Sequence, residues 1–121
     1  MIKKTILVID DEQDVLEVIK KRLENNEYKV ITASNGAKGL EAASGKKPDL
    51  ILLDIMMPDV DGLEVLRKIK LKSETTSIPV IMLTAKGESK TIFEAEDLGA
   101  VDYIIKPYND KELIDLIRKH I

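Results

Sequence analysis

The chain contains no cysteine. That excludes a disulfide framework, thiolate metal sites and a cysteine nucleophile, and it makes a reducing compartment the simple expectation. Proline and glycine are scarce, four and six among 121 residues, so a linker-rich or disordered chain is excluded too. No apolar run approaches the roughly 20 residues of a membrane span, and Met1-Ile2-Lys3-Lys4 is too short a lead for a signal peptide. No membrane association is expected, and the cytoplasm is the expected location. Charge of one sign is also missing: 19 basic and 22 acidic side chains, net −3, are interspersed along the chain. Direct nucleic-acid binding is therefore disfavoured, because affinity for a phosphate backbone needs a clustered basic face. Neither a P-loop nor G-x-G-x-x-G occurs, which argues against nucleotide binding.

What is present fits one globular domain, residues 1–121, of 13.6 kDa with 44% hydrophobic and 34% charged residues. Apolar runs at 5–9, 50–53, 80–83 and 101–105 have the length of strands, and the more polar, β-branched 28–33 suits an edge strand. Between them, apolar residues recur at helical period over 12–25, 36–45, 62–71, 88–98 and 110–120. Asn35-Gly36, Gly45, Pro48, Asp61-Gly62, Pro79 and Asn109-Asp110 punctuate the boundaries. Strict alternation of strand and helix, with right-handed crossovers, predicts an α/β three-layer sandwich. Its centre is a doubly wound parallel sheet of five strands in the flavodoxin-like order 2-1-3-4-5, with five helices.

Three of the apolar runs end abruptly in charge. Residues 5–9 stop at Asp10-Asp11, residues 50–53 at Asp54, and Tyr103-Ile104-Ile105 at Lys106-Pro107. In open α/β sheets ligands bind outside the carboxyl ends of the strands, at the switch point, here between strands 1 and 3. Carboxylates about 4 Å apart repel by roughly 4 kcal/mol at an effective dielectric near 20, so they need a cation. With no histidine or cysteine nearby, a hard divalent ion bound through oxygen, Mg2+ or Mn2+, suits the site, and Lys106 adds a second positive charge. Metal, lysine and strand-end carboxylate together form a kit for phosphoryl transfer. Asp54 is then the nucleophile, Asp10 and Asp11 are metal ligands, and Thr84 donates its hydroxyl to a phosphoryl oxygen.

Ile9-Asp10-Asp11-Glu12, Leu53-Asp54-Ile55-Met56-Met57-Pro58 with Asp61-Gly62, Leu83-Thr84-Ala85-Lys86, and Tyr103 with Lys106-Pro107 carry a family likeness. Over essentially its whole length the chain resembles the receiver domain of two-component response regulators, the chemotaxis-regulator-like phosphoacceptor domain. The resemblance implies that Asp54 accepts a phosphoryl group from a phosphohistidine on a sensor histidine kinase or phosphotransfer protein, or from a small donor such as acetyl phosphate. It implies that Asp11 and Asp54 bind Mg2+ directly, that the Met56 backbone carbonyl adds a ligand, and that Asp10 acts mainly through water. Lys106 is implied to contact the phosphoryl oxygens, with a cis Lys106-Pro107 peptide. On phosphorylation Thr84 would move toward the phosphoryl group and Tyr103 would turn inward. The face made by the fourth helix, fifth strand and fifth helix would then change for a downstream effector protein or domain. Met56 and Lys86 resemble positions that vary in the family and tune the lifetime of the acyl phosphate.

Plainer readings stand beside these. Asp10, Asp11 and Glu12 also suit a helix N-terminus, where acids are favoured by under about 1 kcal/mol each. Thr84 and Lys106 taken singly are ordinary loop residues, and only the constellation raises them. Tyr103 is equally a half-buried strand aromatic. Asp59 and Asp61 read as turn residues, and His120, the sole histidine, as a cation at a helix C-terminus with no catalytic role. Leu113, Ile114, Leu116, Ile117 and Ile121 form a wider apolar set than one core stripe needs, which fits either a partner or homodimer surface or a well-packed helix end. A haloacid-dehalogenase type of phosphohydrolase is the enzymatic rival. That family resembles Asp-x-Asp-x-Thr at its nucleophile, whereas this chain has Asp54-Ile55-Met56 and no second acid. Self-phosphorylation and self-dephosphorylation are therefore expected, without turnover of a separate substrate.

Overall fold

Successive residues of a strand face opposite sides of a sheet, so strands apolar at every position must be covered on both faces. The computed structural model describes residues 2–55, 57, 61–85 and 89–121. Within them, strands β1 (Thr5–Ile9), β2 (Lys29–Ala33), β3 (Leu50–Asp54), β4 (Val80–Ala85) and β5 (Asp102–Lys106) alternate with helices. The helices are α1 (Gln13–Asn25), α2 (Gly36–Lys46), α3 (Gly62–Leu71), α4 (Ser89–Asp97) and α5 (Asp110–His120). The sheet is parallel, as right-handed crossovers between alternating strands and helices require, and its order is β2-β1-β3-β4-β5.

Alternation divides the core into two layers. Ile6, Val8, Leu50, Leu52, Ile81, Leu83 and Ile104 meet Leu16, Ile19 and Leu23 of α1 and Leu113, Ile114 and Ile117 of α5. Leu7, Ile9, Ile51, Leu53, Val80 and Met82 meet Ala43 of α2, Val65, Leu66 and Ile69 of α3, and Ala95 of α4. On α2, Gly39 admits a close approach, since a Cβ there would lie 2.5 Å from Ile9 Cδ1. Among the described residues no helix is long and apolar enough to cross a membrane.

Element boundaries differ from the sequence pattern mainly where polarity begins before the ladder ends. Strand β3 includes Asp54, β4 runs on through Thr84 and Ala85, and β5 is shifted to include Lys106. β2 starts at Lys29, with Tyr28 packed against the α1 and α5 core. The apolar surplus on α5 goes into the interior: Leu113, Ile114 and Ile117 are buried, and Leu116 and Ile121 pack beside them. Exposed large apolar side chains include Phe93 of α4 and Val101, Tyr103 and Ile105 on and beside β5, along with the scattered Ile2, Val18 of α1 and Leu71 of α3.

Candidate functional site

Register brings the charged strand ends into one row. Ile9 pairs with Leu53, so Asp10 is level with Asp54; Asp54 pairs with Leu83, and Ala85 pairs with Lys106. Strand parity then separates two groups. Asp10, Asp54 and Lys106 continue the α1 and α5 face, on which Val8, Leu52 and Ile104 lie. Thr84 and Tyr103 fall on the other face with Met82, Tyr103 paired to Met82 and Thr84 paired to Ile105.

Asp10 is fully buried. Its Oδ1 accepts the Glu12 N–H at 3.0 Å, and its Oδ2 has no hydrogen-bond partner. Lys106 Nζ, projected from the end of β5, lies 3.8 Å from Asp10 Oδ2 and donates to Asp54 Oδ1 at 3.4 Å. Both distances exceed the usual 2.7–2.9 Å of a charge-assisted bond, so the ammonium is shared between two carboxylates and fixed tightly to neither. Burial pushes the Asp10 carboxyl up to about 6, against the Glu12 N–H that favours the charged form; Asp54 and Asp11 push it further up and Lys106 opposes them. Asp54 itself is 5% exposed.

Asp11 is exposed at the rim and, with Asp10 and Glu12, offers carboxylate oxygens that all lie within 4.8 Å of one another. At that separation each pair repels by about 3 kcal/mol at an effective dielectric near 20. An all-carboxylate donor set with an orphaned, buried Oδ2 fits a hard divalent cation of the Mg2+ class and offers nothing to a softer metal. Thr84 is buried, its hydroxyl donating over a long 3.3 Å to the Ala85 carbonyl. Tyr103 is 37% exposed and stands on the outer part of β5, away from the carboxylates. The Lys106-Pro107 peptide is cis. Met56, Lys86 and Asp59, also singled out in the sequence, lie outside the described residues.

The plainer reading of the acids at α1 finds no support in side-chain capping. Asn35, Asp61 and Asn109 accept from Lys38, Leu63 and Glu112 backbone N–H groups to cap α2, α3 and α5, but Glu12, at the N-cap of α1, makes no such bond. One contributor was not legible in the sequence beyond its role as a helix opener. Gly62 donates its N–H to the Ile55 carbonyl at 2.9 Å, and a Cβ on it would come within 2.5 Å of the Asp54 carbonyl oxygen. It lets α3 start directly against the backbone that carries Asp54.

Comparison with known proteins gives a consistent result. The family model described as response regulator receiver domain matches residues 6–118. The phosphate regulon transcriptional regulatory protein PhoB of Pseudomonas aeruginosa is 43% identical over 114 residues, which cover 94% of this chain and 50% of that protein. The alkaline phosphatase synthesis transcriptional regulatory protein PhoP of Bacillus subtilis is 43% identical over 110 residues, covering 91% of this chain and 45% of that one. The chain thus spans about half the length of these curated relatives. Among solved structures, the chemotaxis protein CheY4 of Vibrio cholerae superposes with a TM-score of 0.94 at 25% identity, covering 99% of this chain and 100% of that one. A response regulator receiver domain protein from Clostridium thermocellum gives 0.91 at 35% identity, with 98% and 94% covered.

Proposed function

We propose, for a chain that belongs to the response regulator receiver domain family of two-component systems, that residues 1–121 act as a phosphoacceptor switch with Asp54 as the nucleophile. The observation that carries the reading is Lys106 Nζ, within ion-pair reach of both Asp54 and Asp10 from a separate strand. An Asp54 carboxylate oxygen attacks phosphorus in line as the bond to the donor breaks. The donor is a phosphohistidine of a sensor histidine kinase or phosphotransfer protein, whose imidazole leaves, or acetyl phosphate, from which acetate leaves. Lys106 follows the phosphoryl oxygens and neutralises their charge, and Thr84 turns its hydroxyl from the Ala85 carbonyl to donate to one of them. Asp11, Asp54 and the Met56 carbonyl, with Asp10 through water, would hold Mg2+ or Mn2+, and such an ion would supply further positive charge to those oxygens.

The cycle is limited to the protein's own modification: Asp54 is phosphorylated, and water later hydrolyses the acyl phosphate, restoring the Asp54 carboxylate and releasing inorganic phosphate, with no separate substrate turned over. As Thr84 moves, Tyr103 turns inward, and the surface of α4, β5 and α5 changes for its downstream partner. The apolar side chains exposed on α4 and β5 support that surface as the contact for an effector or a second copy. The names of the half-covered relatives make control of transcription the proposed output, exerted by an effector and not by this domain contacting nucleic acid.

Intact mass after incubation with acetyl phosphate and Mg2+ tests the reading. Wild type is expected to gain one phosphate that hydroxylamine removes, and Asp54→Asn none; an unchanged adduct on the variant overturns the nucleophile assignment.

A further inference from the structure

An acid at the N-cap of a helix is ordinarily accounted for by that helix, through a side-chain bond to a first-turn amide or through the dipole. Glu12 makes no side-chain capping bond on α1. Its carboxylate instead offers an oxygen within 4.8 Å of oxygens from Asp10 and Asp11. Its backbone N–H is the partner of Asp10 Oδ1, and Asp10 Oδ2 stays buried without a hydrogen bond. The same residue lines a groove of about 460 Å3 that runs between α1 and the segment carrying Lys106, Pro107 and Tyr108. Glu12 is therefore tied to the carboxylate cluster through its backbone N–H and holds its own carboxylate beside it.

We infer that Glu12 is a fourth acidic wall of the divalent-cation site, beside Asp10, Asp11 and Asp54, setting its affinity and its preference for a dication from the solvent side. The inference rests on the proposed Mg2+-dependent reading but concerns a residue outside the ligand set given there. Asp10 and Asp54 already share the ammonium of Lys106, so two of the inner charges are partly answered. Asp11 and Glu12 have no such cation in reach among the described ion pairs, and their charge is what an arriving ion meets first. A carboxylate at this distance attracts a divalent ion twice as strongly as a monovalent one, so Glu12 favours Mg2+ over the potassium that outnumbers it.

Titration calorimetry with MgCl2 at constant ionic strength, with no phosphodonor present, tests this on wild type, Glu12→Gln and Asp14→Asn. Glu12 and Asp14 are both exposed, so each variant keeps the fold, and Asp14 removes the same charge from the same helical turn but outside the cluster. Glu12→Gln is expected to weaken Mg2+ binding by about three- to tenfold, and Asp14→Asn by less than about twofold. The loss in Glu12→Gln should shrink for K+ competition relative to Mg2+. An affinity for Glu12→Gln within twofold of wild type, or a loss matched by Asp14→Asn, overturns the inference. If Mg2+ binds and Glu12→Gln weakens it while Asp54 gains no phosphate, the phosphoacceptor reading fails and this one stands.

Discussion

Asp10 sets the local electrostatics because folding buries it with one oxygen unanswered. Its carboxyl rises from an ordinary 3.8 to about 6, so the native state holds the proton more tightly than the unfolded chain. Ionisation then works against the fold: this group's contribution falls as pH rises from about 4 through about 6, by up to about 3 kcal/mol, and is constant above that. In chelator at pH 7.5, Asp10→Asn is expected to be more stable than wild type by about 1–3 kcal/mol and to lack that slope. Urea unfolding across pH 4–8 checks this, and a less stable variant contradicts it. Mg2+ should restore stability to wild type more than to the variant, since only binding to the native state contributes. The neighbouring charges are expected to separate by role. Asp11→Asn should weaken Mg2+ by about tenfold or more, whereas Lys106→Ala should leave Mg2+ binding intact and disconnect phosphorylation from the change at Tyr103. Calorimetry distinguishes them beside the tyrosine fluorescence of a Tyr28→Phe, Tyr108→Phe background, in which Tyr103 is the one emitter left; undiminished affinity in Asp11→Asn contradicts its role as a ligand.

At the scale of elements, helix ends hold the strand ends in place. Gly62→Ala would drive a methyl into the Asp54 and Ile55 backbone, which cannot move aside as a flexible side chain does. A loss of about 1–3 kcal/mol is expected by urea unfolding, together with slower phosphorylation; an unaffected variant would mean that α3 does not buttress Asp54. At the opposite end of β5, Asp102 Oδ2 meets His120 Nε2 at 3.0 Å and Lys119 Nζ at 3.7 Å, tying α5 to β5. Desolvation raises the Asp102 carboxyl, but the His120 bond, the Tyr103 N–H and Lys119 outweigh it and hold the group below its ordinary value. That contribution is present above the unfolded value near 4 and is lost as pH falls through the lower folded one. Asp102→Asn is expected to cost less than about 1 kcal/mol at pH 7 and nothing at pH 2–3, since the pair is partly solvated. His120 was legible only as a helix-end cation; its partner lies 18 residues away and depends on how α5 packs. Periodicity located every element, but it placed the ends of β3, β4 and β5 short, because Asp54, Thr84 and Lys106 are polar residues that remain in the ladder. The apolar width of α5 was readable, while its direction was not: which side faces the sheet is decided by the crossover that follows β5.

For the whole molecule, strict alternation of strand and helix made the parallel sheet legible, while the order 2-1-3-4-5, and with it the meeting of Asp10, Asp54 and Lys106 at the switch point, also leaned on the family resemblance. What the sequence left out were contacts made only after docking: Gly62 against Asp54, and the sharing of one ammonium by two carboxylates. The same topology places Thr84 and Tyr103 on the sheet face opposite the carboxylates, so in the proposed switch Thr84, near the end of β4, is the link between Asp54 and the exposed surface of α4 and β5. The central claim is that these separate strand ends make one Mg2+-dependent phosphoacceptor with a single nucleophile. Borohydride reduction of the acyl phosphate, followed by peptide mapping, tests it most directly. The account predicts homoserine at Asp54 alone, formed only when acetyl phosphate and Mg2+ are both present; reduction at Asp10 or Asp11, or at Asp54 without divalent ion, would contradict it.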